Sequence, residues 1–150
     1  MHEDGQDSGS RDPEGAVLYS TNYADALILP SEDCRAERAT PPGKPGTIAA
    51  LQYDMLAAAP YQYTSDDLLI AVEASRKSVA EADRPALVAA FHARGQACLR
   101  ASPLVKTHGW ALHHDSDARV ALVDPESATF AKLAEDPAIT QVRGMRSRRA

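Results

Sequence analysis

Between residues 47 and 95 the apolar residues recur at helical spacing, and from residue 97 they alternate. A chain whose hydrophobic period switches in this way has to bury helix stripes against strand faces, which places it in the α+β class. In "TIAALQYDMLAAA" (47–59), Ile48, Leu51 and Met55 share one stripe, Thr47 is placed to cap the first turn, and Pro60 stops the helix. In "TSDDLLIAVEASRKS" (64–78), Thr64 or Ser65 can cap. Asp66 and Asp67 then occupy the first turn, where carboxylates suit the helix dipole, and a helix is predicted over about 65–77. "DRPALVAAFHARG" (83–95) is the clearest helix: Asp83 as cap, Pro85 in the first turn, a stripe of Leu87, Val88 and Phe91, and Gly95 at the stop.

The strand signals lie on either side. "ALILP" (26–30) reads as a short buried strand ended by Pro30, and the proline- and glycine-rich stretch 31–46 as a loop. In "CLRAS" (98–102), Leu99 and Ala101 alternate with Cys98, Arg100 and Ser102, which predicts a strand that Pro103 breaks. "GWALHHDSDARVALV" (109–123) reads as a β-hairpin, with Trp110, Leu112 and His114 on one face and Ala111 and His113 on the other. Phe130 and Leu133, then Ile139, Val142 and Met145, suggest one or two closing helices. The expected architecture is a small antiparallel sheet of three or four strands covered on one face by about four helices.

Bulk properties narrow the setting. The chain has 150 residues, of which 44% are hydrophobic, enough for one domain to bury its own core. Residues 1–15 have no apolar periodicity and read as a disordered acidic tail, leaving 16–150 as the single globular domain. Five acids stand against Arg11 in that tail, so most of the net charge of −5 sits there. The other end, "RGMRSRRA", carries Arg143, Arg146, Arg148 and Arg149 and no acid. Two cysteines, Cys34 and Cys98, make no disulfide framework. No secretory signal and no apolar run long enough to cross a bilayer is visible, so a cytoplasmic protein with reduced thiols is expected.

The stretches "TNY" (21–23), "SEDC" (31–34), "PPGK" (41–44), "TIAALQYDML" (47–56) and "PYQYTSDDLL" (60–69) carry a resemblance, continued by "GQACLRASPLVKTHGWALHHD" (95–115), "RVALV" (119–123) and "MRSRR" (145–149). The chain resembles, over about residues 19–149, a family of small bacterial proteins known only as a domain of unknown function. The resemblance implies a shared fold and a cytoplasmic bacterial setting, and it brings no activity with it. One departure stands out: where the family tends to place glycine in the hairpin turn, this chain has "DSDARV", with Ala118. If that turn needs a positive φ, Ala118 adopts it at a cost.

The densest polar segment is "ACLRASPLVKTHGW" (97–110). With Arg100, Ser102, Lys106, Trp110 and His113 along one wall and Arg146 closing from the last helix, cations and a hydroxyl would clamp a phosphate or carboxylate, and Trp110 would stack on a base or sugar. The structural alternative puts Leu99 and Ala101 in the core and the polar side in water. A binding module for an anionic small ligand or a protein partner is the leading expectation. An enzyme is the first alternative, using Cys98 or His113 with Asp66 or Asp67. Helix capping accounts for both aspartates without chemistry, and a small packed hydrophobe is the usual role of a lone cysteine. A nucleic-acid accessory protein, binding through the C-terminal arginines, is the second alternative. His108, His113, His114 and Asp115 are competent metal ligands. Adjacent histidines on a strand nevertheless point to opposite faces, so no metal is assigned. No cofactor motif such as GxGxxG or Walker A occurs, and no cofactor is assigned.

Overall fold

The computed structural model describes residues 9–11 and 17–147. A two-stranded ribbon pairs β1 (Gly9–Arg11) with β2 (Val17–Tyr19). The rest of the expected tail lies outside the described residues. The main sheet has four strands in the order β5-β4-β3-β6: β3 is Ala26–Leu29, β4 Ala111–His114, β5 Val120–Val123 and β6 Thr140–Arg143. Among the described residues five α-helices accompany it: α1 (Ile48–Ala58), α2 (Ser65–Arg76), α3 (Arg84–His92), α4 (Pro103–Lys106) and α5 (Ala128–Glu135).

The α+β class stands, with α1, α2 and α3 where helical spacing placed them and β4 and β5 forming the expected antiparallel hairpin. Apart from residues 98–102, three details differ. The sheet is mixed, because β6 runs parallel to β3. Residues 140–143 are that strand and not a second closing helix; the edge strand is exposed at Thr140, Gln141 and Arg143, so it lacks the alternation that marks a strand with one buried face. Helices also cover both faces: Phe130 and Leu133 of α5 pack on Leu27, Ala111 and Val123, opposite the main core of Ile28, Leu56, Leu68, Leu104, Leu112 and Val120. Strand β3, inside the sheet and covered twice, is therefore apolar throughout.

Local chemistry explains the helix starts. Thr47 Oγ1 accepts from Ala50 N–H. Thr64 and Asp67 form a reciprocal capping box, with Asp67 N–H donating to Thr64 Oγ1 at 3.1 Å and Thr64 N–H to Asp67 Oδ2 at 3.4 Å. Asp66 is only 6% exposed and accepts from Ser20 Oγ, Thr21 N–H and Thr21 Oγ1 at 2.7–2.8 Å, while its own N–H donates to Asn22 Oδ1. The "TNY" and "SDD" stretches thus interlock, and a carboxylate of the enzyme alternative ties the loop before β3 to the start of α2. Asp83 stands at the N-cap of α3 without a side-chain capping bond.

The hairpin turn does need a positive φ. Ala118 has φ +66°, Ala118 N–H donates to Asp115 O, and Asp115 N–H donates to Arg119 O. The hydrogen bonds close a three-residue hairpin loop that ends on a left-handed residue, a position where glycine is unstrained. Ala118→Gly relieves about 1–2 kcal/mol of left-handed strain and loosens the unfolded chain by about 0.4–1 kcal/mol. The expected outcome in urea denaturation is a net gain of about 1 kcal/mol.

Candidate functional site

Residues 98–102 are not the expected strand. Leu99–Ala101 form one 3₁₀ turn, and Ser102 then caps α4, its Oγ accepting from Leu104 N–H at 3.1 Å, with Pro103 at the first helical position. Leu104 and Val105 are buried by this single turn, and Lys106 ends it half-buried. After Thr107 and His108, Gly109 takes φ +79°, with the position of a Cβ only 3.0 Å from Arg38 O, so this approach requires glycine. The loop after β3 is held against the same segment: Ser31 N–H donates to Val105 O, Thr40 N–H to His108 O, and Trp110 Nε1–H to Thr40 O.

The six residues of the expected wall therefore separate. Arg100 donates through Nε to Arg143 O and accepts at its own carbonyl from Met145 N–H, which docks the chain leaving β6. Ser102 is buried, with Oγ donating to Gln52 Oε1 at 2.6 Å. Trp110 rests on Tyr53, their ring centroids 5.6 Å apart. His113 stands with Nδ1 2.8 Å from the Tyr61 hydroxyl. Burial pushes the His113 imidazole down against the pull of Asp115 and Asp25, and burial pushes the Tyr61 hydroxyl up. Arg146 is on no helix; it follows β6 and reaches Glu32 at 3.4 Å.

Lys106 lines a cleft of about 320 Å³ together with Asp33, Arg35, Thr107 and Ser147. Three chain segments build it: the loop after β3, the end of α4 and the residues that follow β6. They belong to or adjoin "SEDC", "SPLVKTHG" and "MRSRR", stretches that carry the resemblance. Asp33 accepts from Ser147 N–H through both carboxylate oxygens, at 3.1 and 3.0 Å. Among the described residues neither Lys106 nor Arg35 has an ion-pair partner. Two cations with two hydroxyls beside them suit a multi-oxygen anion. Arg35, Asp33 and Ser147 are not legible as site residues in the sequence, because a loop brings them in; the stretches that carry the resemblance are the only local signal near them.

The groups of the enzyme alternative sit with separate partners. The Cys98 thiol is 3.3 Å from the Tyr23 hydroxyl, whose ionisation burial and that thiol push upward. Asp66 and Asp67 are engaged as described above. Both cysteines are free. Among the described residues no three His, Cys, Asp or Glu side chains gather as a metal site, and no helix is long and apolar enough to cross a membrane. Of the arginines in the nucleic-acid alternative, Arg143 donates to Pro30 O, Arg146 faces Glu32, and 148–149 lie outside the described residues.

No curated protein and no solved structure matches the chain. A family model does, from residue 18 to residue 150, taking in both the interlocked "TNY" and "SDD" stretches and the cationic cleft. On that match the chain belongs to DUF6157, a family of unknown function.

Proposed function

We propose that the domain is a binding module for a small anionic ligand, held in the cleft between Arg35 and Lys106. The observation that supports this reading is the convergence of two cations, without ion-pair partners among the described residues, and the Thr107 and Ser147 hydroxyls from three segments distant in sequence. Asp33 contributes to the frame, since both of its oxygens accept from the Ser147 backbone. Ser102, Arg100 and Trp110 act behind the cleft: they cap α4, dock the chain after β6, and pin the loop at Thr40. A cytoplasmic setting, where both thiols stay reduced, accompanies the proposal.

The test is a thermal-shift panel of inorganic phosphate, phosphorylated metabolites and small carboxylates. A ligand at a hundred times its Kd adds about 2.7 kcal/mol, which raises Tm by roughly 5–10 °C for a domain of this size. The expected result is a shift that disappears in Arg35→Ala and Lys106→Ala. A panel without a hit, or a hit that survives both substitutions, overturns the proposal.

A further inference from the structure

A second cleft, of about 360 Å³, opens between α1, α2 and α3, away from Lys106. Its volume falls within the roughly 300–1,000 Å³ of small-molecule pockets. Leu69, Val72 and Phe91 give it apolar walls, and Gln52 lines it as a polar residue only 2% exposed. The orientation of that amide is set from behind. Ser102 Oγ accepts from Leu104 N–H and donates to Gln52 Oε1, 2.6 Å away. With Oε1 engaged by Ser102, the NH₂ is the hydrogen-bonding group that Gln52 has left for the cleft it lines, and among the described residues it has no hydrogen-bond partner. An unpartnered donor beside apolar walls is the arrangement that orients a ligand.

The rim supplies charge. Lys77 is paired with Glu73 at 2.8 Å, whereas Arg76, which also lines the cleft, has no ion-pair partner among the described residues. A carboxylate facing only the neutral Gln52 amide would be desolvated without a counter-charge, so the negative end belongs at the rim with Arg76 and a neutral acceptor belongs on Gln52. We propose that this cleft is a second ligand site, for a small amphipathic carboxylate carrying a neutral carbonyl within its apolar body, as an N-acyl amino acid does. The polar residue within the α1 stripe, four positions after Ile48, is the sequence trace of this site.

Isothermal titration of the full chain tests it with three probes: N-hexanoylglycine, nonanoate (no internal carbonyl) and N-hexanoylglycinamide (no charge). N-hexanoylglycine is expected to bind tightest. Gln52→Leu weakens it about three- to tenfold, the worth of one hydrogen bond, and leaves nonanoate unchanged. Arg76→Ala weakens it about threefold, as suits a half-solvated ion pair, and leaves the glycinamide unchanged. Ala97→Trp, built from an exposed position on the rim, abolishes binding of all three while Tm is retained. Lys106→Ala has no effect, which separates this site from the cationic cleft. The proposal is overturned by absence of heat up to millimolar N-hexanoylglycine, by an equal loss for N-hexanoylglycine and nonanoate in Gln52→Leu, or by binding that survives Ala97→Trp. If Gln52→Leu does not fold, Ala97→Trp decides between the outcomes.

Discussion

Gly144→Ala is expected to cost about 3 kcal/mol, the upper end of the usual cost of overpacking a core. Gly144 is buried just after β6, and its N–H donates to Leu29 O at 2.8 Å, extending the parallel pairing by one residue. A Cβ there would overlap Val105 Cγ1 and approach Ser31 Oγ at 2.8 Å and Leu29 O at 3.0 Å. Val105 is fully buried and two of the obstacles are not free to swing away, so the strand end must shift. The measurement is the urea midpoint, with a Tm fall of about 10 °C. Val105→Ala in the Gly144→Ala background is expected to restore only part of the loss, because Ser31 and Leu29 still obstruct. Since the displaced chain leads directly to Arg146 and Ser147, the thermal response to anions should weaken in the single variant as well. An unchanged midpoint would show that the approach of β6 to α4 is looser than these distances imply.

His114 gives the second large effect. The side chain is 0% exposed at the end of β4, edge-on to Tyr23 with ring centroids 5.5 Å apart, and neither ring nitrogen has a hydrogen-bond partner among the described residues. Burial, aided by the neighbouring His113 and opposed by Asp115, lowers its pKa from 6.5 to about 4. The imidazole is therefore neutral in the fold, while the unfolded chain takes up a proton below pH 6.5. The unfolded state binds more protons between the two values, so stability is intact above pH 6.5 and falls as the pH drops toward 4. At about 1.4 kcal/mol per pH unit the loss reaches about 3 kcal/mol. His114→Leu removes this dependence along with two unsatisfied polar atoms, each a cost of about 1–3 kcal/mol. It gives up an aromatic contact worth about 0.5–1.5 kcal/mol. Urea denaturation at pH 7 and pH 4.5 checks both parts: the variant is expected to be at least as stable as wild type at pH 7, and to lose about 2.4 kcal/mol less on acidification to pH 4.5. An equal loss in both proteins would mean that His114 titrates normally and that other groups cause the acid sensitivity.

The interlock of Asp66 with Thr21 and the role of Ser102 show how far local patterns reach. Both aspartates of "TSDD" lie where the capping argument puts them, and Asp67 completes the box. That Asp66 also closes a loop 45 residues away depends on the start of α2 meeting the segment between β2 and β3, which no local signal records. In "RASPLVK" the Ser-Pro pair is a helix-start signal that competes with a short alternation of Leu99 and Ala101. The helical start wins because Leu104 and Val105 both have to be buried, and successive residues of a half-buried strand cannot both face one core. Of the six residues in the expected wall, Lys106 lines the cationic cleft, while Arg100, Ser102 and Trp110 hold up the segments around it.

By itself the sequence determined the three longer helices, the hairpin with its strained Ala118, the strand "ALIL" and the α+β class, because period, caps and turn residues act within a few positions of one another. Only the tertiary structure decided that β6 joins β3 in parallel, that α5 covers the second face of the sheet, and that Arg35, Lys106 and Ser147 share a cleft. Edge strands and loops acquire position from what they pack against, and those partners lie far away along the chain.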